Sequence, residues 1–428
     1  MRLWLPLFAS LVLLSLPTIV HGAGFSVGQQ VVLRASNALG VPLHRKAQNS
    51  LFGRGEDGSL GKITEVAHGG KWLHVQIEHG AIAWIVSKYL ESASDEAMPI
   101  TPSDASEQLV GPFSSRASCE RAVQSGARFE PKDHSQIRIA TWNIRWFPIG
   151  DPHDSGKETD LAWLACAIAY LEPDVVALQE ITAGPEANVA WAVVTDGVQK
   201  LVGGDWRVDL QECGGESSQH VGFLYNSRRV TLSGTRDIWE MNGAAKDPLN
   251  PCAGNLRPGR AAYVRKVGTG ADFHLVAVHA DSGTSERDYN HRQEAIGRLG
   301  ALFDDLQQDV SDSDMVVLGD FNTMGAQDIM SGPAEIDRLR QHVRTEAPGF
   351  RLIDNPLHCS EYFDGACSWL DQVIVTESME EVRETKIAVS GYCAMLEGRP
   401  FGSAEPAAYK ALSDHCPIVV DVLDQDLD

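Results

Sequence analysis

Residues 137–181 contain two apolar segments, IRIATWNI at 137–144 and VVALQEI at 175–181, with LAWLACAIAYL at 161–171 between them. The outer segments predict strands that are largely buried. Apolar residues in the middle segment recur at the spacing of one helix face, namely Leu161, Leu164, Ile168 and Leu171. Pro173 ends this predicted helix, because the residue before a proline avoids helical backbone. The stretch therefore predicts a strand, a helix and a second strand.

Five more apolar segments follow, and they alternate with helical stretches. They are HVGFLYN at 220–226, FHLVAVH at 273–279, MVVLGDFN at 315–322, DQVIVT at 371–376 and PIVVDVL at 417–423. This alternation predicts an α/β domain with a substantially buried sheet. The sequence contains no internal repeat. Roughly 400 residues follow the first segment of the chain, which is too long for one small core, so we expect more than one domain.

The first residues have the pattern of an export signal. Arg2 precedes an apolar run at 3–20, which Pro6 and Pro17 interrupt and small residues follow. This pattern predicts a signal peptide over residues 1–22, and hence a secreted or periplasmic protein. The alternative is an uncleaved anchor. No later apolar segment is long enough to span a bilayer, so no membrane span is expected in the mature chain.

Eight cysteines follow the predicted signal, and none forms a CxxC pair. An even number in an exported chain favours disulfides, and the missing CxxC pairs disfavour a structural zinc site. The sequence leaves their connectivity open, with Cys359 and Cys367 as the shortest closure.

Residues 24–92 contain short β-prone pieces separated by Gly pairs and polar turns. The segment GKITEVAHGGKWLHVQIEHGAIAWIVSKYL at 61–90 resembles bacterial Src-homology-3 domains. The resemblance implies a small all-β barrel over 24–92 that binds a cell-wall peptide or another ligand. The alternative is that Trp72 and Trp84 are simply core residues. Residues 93–136 begin rich in Ser, Pro, Asp and Glu and predict a linker, with a short helix around Cys119 tied to the next domain.

The net charge is -22, which opposes non-specific adhesion to nucleic acid or to anionic membranes. It does not exclude a metal-dependent nuclease, because bound cations reverse the local field at a site.

Polar side chains stand at the ends of the predicted strands. They are Asn143, Glu180, His279, Asp320, Asn322, Asp371, Asp414 and His415. One polar residue at a strand end is commonly a turn or a cap. A set made of acids, amides and imidazoles supplies the oxygen ligands and proton carriers that a hard divalent cation and phosphoryl transfer require.

The same residues belong to an ordered series of motifs. The series is TWNI at 141–144, LQE at 178–180, VAVHA at 276–280, GDFN at 319–322, LDQVIV at 370–375 and SDHCPI at 413–418. Each motif is short, but the ordered set resembles the endonuclease/exonuclease/phosphatase superfamily, which includes pancreatic-type deoxyribonucleases, sphingomyelinases and inositol polyphosphate 5-phosphatases. The resemblance implies a four-layered α/β/β/α sandwich of two mixed sheets over 137–428.

The resemblance also implies a metal site. Glu180 would be the main ligand of Mg²⁺, with Mn²⁺ or Ca²⁺ as alternative ions. Asn143 would lie beside it as a metal ligand and a phosphate contact, and Asp414 would bind or orient the metal. Asp320 and Asn322 would position or deprotonate the attacking water.

Three further residues are implied to act on the phosphate, and a fourth supports one of them. His415 would contact it or transfer a proton, with Asp371 hydrogen-bonded behind the imidazole. His279 would stand beside the phosphate. Arg260 would contact it from the place where many members show Arg-Pro-Pro, although this chain reads Arg260-Ala261-Ala262.

The sequence thus predicts a secreted, magnesium-dependent phosphodiesterase, and DNA is the favoured substrate. A second departure weakens close identity with pancreatic deoxyribonuclease: Gln219 and His220 occupy the neighbourhood of a Glu that supports the first catalytic His in that enzyme. The alternatives are a sphingomyelinase-like or small-molecule phosphodiesterase or phosphatase, and a binding protein that has lost catalysis.

Overall fold

A computed structural model describes residues 25–34, 41–46, 49–55, 58–77, 82–92, 110–130, 132, 135–150, 158–216, 218–243, 247–254, 257–327, 329–382, 387–401 and 405–427. The predicted signal peptide at 1–22 and the first part of the predicted linker lie outside these residues. Within the described part of the chain, no helix is both long and apolar enough to cross a membrane.

The N-terminal part contains seven strands. They are β1 (Gln30–Leu33), β2 (Val41–Lys46), β3 (Asn49–Gly55), β4 (Leu60–Ala67), β5 (Trp72–Ile77), β6 (Ile82–Val86) and β7 (Leu90–Ser92). They form one antiparallel sheet in the order β3-β2-β6-β5-β4-β1-β7. Trp72 is buried in this unit, as the core interpretation expects, whereas Trp84 is half-buried and packs against the His74 ring with centroids 4.9 Å apart.

The remaining strands begin after residue 135. They are β8 (Gln136–Phe147), β9 (Val175–Ile181), β10 (Trp206–Leu210), β11 (His220–Asn226), β12 (Val230–Ile238), β13 (Gly259–Lys266), β14 (Asp272–His279), β15 (Met315–Asp320), β16 (Gly325–Ala326), β17 (Met330–Ser331), β18 (Phe350–Leu352), β19 (Glu361–Phe363), β20 (Ala366–Ser368), β21 (Asp371–Thr376), β22 (Ala388–Val389) and β23 (Ile418–Leu423). Every segment that the sequence predicts as a strand in this region overlaps one of them.

The helices are α1 (Arg116–Gln124), α2 (Leu161–Leu171), α3 (Pro185–Val202), α4 (Glu286–Ile296), α5 (Leu299–Asp309), α6 (Gly332–Thr345), α7 (Gly391–Leu396) and α8 (Ala407–Ala411). The helix predicted between the first two strands is α2, and the Asp160 side chain caps it by accepting from the Trp163 N–H at 3.0 Å.

Two six-stranded mixed sheets carry the larger part of the chain. Their orders are β10-β11-β9-β8-β23-β22 and β12-β13-β14-β15-β21-β18. Each contains one parallel pair, β8 with β9 and β14 with β15, among antiparallel neighbours. The chain is therefore a mixed α/β protein, as the sequence predicts.

Side-chain alternation along the strands shows where the cores lie. On β8, Ile137 and Ile139 share a buried cluster with Phe273 and Leu275 of the other sheet. Side chains alternate along a strand, so Ala140 and Trp142 lie on the opposite face of β8 and pack with α2 and α3. The second sheet buries its other face against α4, α5 and α6. This packing is consistent with the predicted sandwich of two sheets flanked by helices.

All eight cysteines are paired. The disulfides are Cys119–Cys166, Cys213–Cys252, Cys359–Cys367 and Cys393–Cys416. The first ties α1 to α2, so the short helix expected around Cys119 packs on the α/β unit. The third is the short closure that the sequence favours.

Candidate active site

The polar residues at the strand ends converge where the two sheets face each other. In the second sheet, the parallel register sets His279 opposite Asp320, and the antiparallel register sets Asp320 opposite Asp371. In the first sheet, Asn143 stands at the irregular end of β8, next to the end of β9 that carries Glu180. Strand pairing within each sheet, together with the packing of the two sheets against each other, therefore brings side chains from distant parts of the sequence into one cleft.

Asn143 connects the two sheets. Its Nδ2 donates to Glu180 Oε1 at 3.2 Å and to Asp320 Oδ2 at 3.0 Å. Its own Oδ1 accepts from the Arg145 backbone N–H at 3.0 Å. In this arrangement Asn143 orients two carboxylates as a hydrogen-bond donor, and its oxygen is engaged by the backbone. The implied role as a direct metal ligand stays a prediction, and the geometry favours the orienting role.

Glu180 is held in a left-handed backbone conformation, with a φ of 60°, which is uncommon for a residue other than glycine. Its Oε2 accepts from the Trp146 N–H at 3.2 Å. Burial, and then the neighbouring Asp414, raise the pKa of Glu180 to about 7. A carboxylate in such surroundings gains stability when a cation compensates its charge.

Asp320 is buried between the two imidazoles. Its Oδ2 lies 3.5 Å from His279 Nε2 and 3.6 Å from His415 Nε2, and its Oδ1 accepts from the Asn322 N–H at 2.9 Å. Burial raises the pKa of Asp320 to about 6. Asn322 also has a left-handed backbone and donates from Nδ2 to the Ala280 carbonyl at 3.1 Å. The amide therefore fixes the loop that follows His279.

His415 and Asp371 form a buried pair. His415 Nδ1 lies 2.8 Å from Asp371 Oδ2, within hydrogen-bond reach. Burial disfavours the charged ring, but Asp371 and Asp320 outweigh it and raise the pKa of His415 well above its ordinary value. The predicted hydrogen-bonded pair is present, and its carboxylate neighbours favour the charged form of the imidazole.

His279 is different. Its Nδ1 is buried and has no hydrogen-bond partner among the described residues. Its Nε2 faces Asp320 and, at 3.9 Å, Glu180 Oε1. Burial, and then Arg257 and His415, hold the pKa of His279 well below its ordinary value. This ring is neutral at pH 7 and offers a hydrogen bond rather than a charge.

Comparison with known proteins agrees with this arrangement. The model of the Endonuclease/Exonuclease/phosphatase family matches residues 140–415. The chain belongs to this family. Members of the endonuclease/exonuclease/phosphatase family are metal-dependent phosphoester hydrolases, and the chain is accordingly assigned to that class of enzyme.

Solved structures of family members are similar to the chain at low identity. The endonuclease/exonuclease/phosphatase from Bacteroides vulgatus is 16% identical over 68% of this chain and 99% of that chain, with a TM-score of 0.46. The mannosyl-6-phosphatase of Bacteroides thetaiotaomicron is 15% identical over 66% and 98%, with a TM-score of 0.45. The D. rerio TDP2, complexed with a single-strand DNA product, is 17% identical over 67% and 98%, with a TM-score of 0.42. Comparison with curated proteins finds no match.

The structure places the predicted phosphate contact Arg260 in a buried ion pair. Its Nε donates to Asp209 at 2.7 Å and its Nη1 donates to Asp237 at 2.9 Å. Arg260 is the second residue of β13, opposite Ala277 of β14, and its guanidinium pairs with one carboxylate of β10 and one of β12. The guanidinium is committed to these two carboxylates, so the geometry argues against the predicted role.

Arg257, three residues earlier, lies at the cleft instead. Burial lowers the pKa of its guanidinium, and the fields of Glu180 and Asp320 oppose that change. Arg257 also donates to the Gln219 side chain. The sequence shows Arg257 only as one cation in a basic run, but its position before Pro258, where β13 is about to begin, could have distinguished it.

Glu361 is a site residue that the sequence motifs do not reveal. It begins β19, is 5% exposed and pairs with His415 in an isolated antiparallel bridge. Burial raises the pKa of Glu361 well above its ordinary value, and Asp414 adds to this effect while His415 opposes it. Glu361 lies between motifs, so neither strand ends nor spacing indicated it.

The family's divalent cation fits these side chains. Carboxyl groups in the cleft outnumber cationic side chains by five to two: Glu180, Asp320, Glu361, Asp371 and Asp414 against Arg257 and His415. Buried carboxylates require compensation, and oxygen donors are what Mg²⁺ prefers. Glu180 and Asp414 would hold the cation, because the field of Asp414 reaches Glu180.

Proposed function

We propose that the protein is a phosphodiesterase that hydrolyses DNA by metal-assisted attack of water. The observation that supports this proposal is the small number of cationic side chains in the cleft. Among the described residues named there, His415 and Arg257 are set against five carboxyl groups. A phosphodiester carries one negative charge, whereas a monoester at neutral pH carries about −1.5 to −2. A cleft rich in carboxylates suits the less charged diester.

The chain's own residues have separable roles in this chemistry. A bound divalent cation would polarise the phosphate and neutralise developing charge. Asp320, oriented by Asn143 and Asn322, is placed to accept a proton from the attacking water. The imidazolium of His415, held by Asp371, is placed to donate to a phosphate oxygen or to the leaving group. The neutral ring of His279 is placed to donate a further hydrogen bond to the phosphate.

A second candidate function is hydrolysis of a smaller or lipid-derived diester. A cavity of about 550 Å³ lies beside the end of β8, and its lining includes Ile149, Leu161, Pro185 and Val189. Val189 is 67% exposed, and Glu158 and Glu186 also line the cavity. The Phe147 carbonyl beside the cavity accepts from Thr182, two residues after Glu180. An apolar substituent of a substrate could lie in this cavity.

One assay separates these activities. Purified protein is incubated with supercoiled plasmid, RNA, sphingomyelin, bis-p-nitrophenyl phosphate and p-nitrophenyl phosphate, with Mg²⁺ or with EDTA. Nicking that requires Mg²⁺ and is lost in Glu180→Gln supports the DNA proposal. Rapid sphingomyelin turnover without nicking supports the second candidate. Faster hydrolysis of the monoester than of the diester contradicts both.

We also propose that the protein is exported and that its mature N-terminal unit is a ligand-binding Src-homology-3-like domain. The four disulfides support an oxidising compartment, where such bonds persist. The antiparallel sheet of β1–β7 supports the barrel interpretation. Fractionation of the producing cells tests export, and sedimentation of residues 24–92 with purified cell-wall sacculi tests the ligand. Recovery in the cytosol, or no co-sedimentation, would refute the respective proposal.

A further inference from the structure

Arg292 on α4 is buried, with an exposed fraction of 2%, and all five of its N–H groups have acceptors. Its Nε donates to Glu335 Oε1 and its Nη2 donates to Glu335 Oε2, both at 2.8 Å. Nη2 also donates to the Gly325 carbonyl at 2.8 Å, and Nη1 donates to the carbonyls of Gly283 and Asp281 at 2.8 and 3.2 Å. Three of the five N–H groups therefore bind backbone carbonyls rather than the partner carboxylate.

These carbonyls belong to two segments that directly follow catalytic strands, 280–285 between β14 and α4, and 321–325 between β15 and β16. Asp281 comes two residues after His279, and Gly325 comes three residues after Asn322. Glu335 on α6 holds the second segment as well, since its Oε2 accepts from the Gly325 N–H at 2.8 Å. The ion pair thus joins both segments to α4 and α6.

The same two segments determine where the catalytic side chains lie. Asn322 Nδ2 donates to the Ala280 carbonyl at 3.1 Å, and the Ala280 N–H donates to the Asp320 carbonyl at 2.8 Å. Farther along, Gly283 and Gly325 have φ values of 109° and 85°. Glycine loses more conformational freedom on folding than other residues, so outside contacts are needed to keep such segments in one conformation. The guanidinium on α4 binds the carbonyls of both glycines.

We propose that Arg292, oriented by Glu335, is a positioning residue of the hydrolytic reaction, which keeps His279 and Asn322 in place for the phosphate and the attacking water. The inference rests on the proposed phosphodiesterase function and deepens it, and none of the six sequence motifs contains either member of the ion pair. Arg292 acts through the two segments, because its N–H groups are all engaged. Displacing a catalytic group by about 1 Å can lower a rate about 10²-fold, so these contacts affect turnover.

The test replaces Arg292 with lysine, which keeps the positive charge opposite Glu335 but has three N–H donors in place of five. The kcat of Arg292→Lys for bis-p-nitrophenyl phosphate with Mg²⁺ should fall about 30-fold, and its KM should remain near the wild-type value. Steady-state kinetics on the full chain measure both, at a temperature where far-UV circular dichroism shows every variant folded. A fall in kcat at constant KM indicates misplaced catalytic groups rather than lost substrate binding.

Arg138→Lys is the matched control. Arg138 is fully buried and binds the Asp421 carboxylate through two nitrogens, at 2.8 and 2.9 Å, and two backbone carbonyls through Nη1. It lies five residues before Asn143 on β8, roughly 17 Å away along the strand. Loss of equivalent contacts should lower the Tm of both variants but leave the kcat of Arg138→Lys near the wild-type value.

The outcomes separate this inference from the proposed function. An unchanged kcat in Arg292→Lys, a raised KM with unchanged kcat, or an equal loss of kcat in Arg138→Lys overturns the inference alone. No Mg²⁺-dependent hydrolysis of the diester by the wild type overturns both. If Arg292→Lys does not fold, Glu335→Gln is measured instead: it loses the charge and one acceptor oxygen, and its kcat should fall about fivefold. Unchanged kcat in that variant also overturns the inference.

Discussion

The two histidines of the cleft approach the same oxygen of Asp320, but the pKa of His415 is raised and the pKa of His279 is lowered. On the β23 side, His415 has Asp371 behind its Nδ1 at 2.8 Å, and this carboxylate raises the pKa of the ring above its ordinary value despite burial. On the β14 side, the Nδ1 of His279 has no partner among the described residues. Burial there lowers the pKa of the ring, and Arg257 lowers it further.

The difference shows that residue type and motif position do not determine the charge of a catalytic histidine. Both rings are buried, and both place Nε2 within 3.6 Å of the same carboxylate oxygen. The group behind Nδ1 decides between imidazole and imidazolium. A role for His279 as proton donor to a leaving group is therefore disfavoured, and His415 is the better proton donor.

The largest expected effect comes from removing the charged ring. His415→Ala should lower kcat for bis-p-nitrophenyl phosphate about 10⁴-fold, because it removes an acid and a positive charge near the phosphate. His279→Ala should lower kcat only about 10²-fold, the effect of one lost hydrogen-bond donor. Steady-state kinetics with Mg²⁺ measure both.

Glutamine variants sharpen this contrast, since an amide donates a hydrogen bond but carries no charge. His279→Gln should recover part of the activity lost in His279→Ala, whereas His415→Gln should recover none. Equal recovery at the two positions would show that the rings do not differ in charge.

Arg257 and Arg260 provide a smaller contrast, between an arginine at the cleft and an arginine held in an ion pair. Arg257→Gln should raise KM about tenfold and leave the free energy of unfolding nearly unchanged, because its guanidinium faces the cleft. Arg260→Gln should lower the free energy of unfolding by about 3 kcal/mol with KM unchanged, because it removes the guanidinium that pairs with the buried carboxylate of Asp237. Kinetics and urea unfolding distinguish the two, and the reverse pattern would restore Arg260 as the phosphate contact.

The sequence was sufficient to predict the strands and most of the cleft, for identifiable reasons. Apolar periodicity located β8, α2 and β9, and polar residues at strand ends located Glu180, Asp320 and Asp371. These features can be seen in short stretches of sequence. The pairing and packing of the strands then bring the polar side chains at their ends close together. The pairing of Asp371 with His415 was implied by the resemblance to the family, and it joins segments at the ends of β21 and β23, which belong to different sheets.

Other features depend on contacts that the sequence does not show. Arg257 and Arg260 look alike in a basic run, and only side-chain contacts in the folded chain show that Arg260 is paired with two carboxylates while Arg257 lies near Glu180. Glu361 enters the cleft through a bridge between residues far apart in sequence. The pKa of His279 is lowered by burial and by the nearby guanidinium of Arg257, and no carboxylate among the described residues lies behind its Nδ1. No sequence motif shows these surroundings.

The charge of His415 should also appear in the pH dependence of stability. Its pKa in the folded protein is raised, so its contribution is fully present below the unfolded pKa of about 6.5 and is lost as the pH rises through the folded pKa. Asp371→Asn should therefore cost about 2 kcal/mol at pH 6 and less at alkaline pH. Urea unfolding in EDTA measures this cost. A cost that increases with pH would contradict a charged His415.

His279 should show the opposite sign in the same experiment. Its folded pKa is lowered, so below about pH 6.5 the unfolded chain takes up a proton that the folded chain does not. Wild-type stability should consequently fall with acidification more steeply than that of His279→Gln. Parallel pH profiles for these two proteins would show that His279 is protonated in the fold.

The smallest expected effect comes from a buried carboxyl group outside the cleft, Glu240, and tests how burial changes both pKa and stability. Both oxygens of Glu240 are buried without a partner among the described residues, and burial raises its pKa to about 7. The unfolded chain releases this proton near pH 4.5, so the group destabilises the fold progressively as the pH rises from there to about 7. Glu240→Gln removes the charge without changing the shape of the side chain. It should raise Tm by about 2 °C at pH 8, corresponding to about 1 kcal/mol, and by less at pH 5. Differential scanning calorimetry at the two values measures the difference. A larger gain at pH 5 would mean that Glu240 is ionised and compensated in the fold, as Glu180 is expected to be only when the cation is bound.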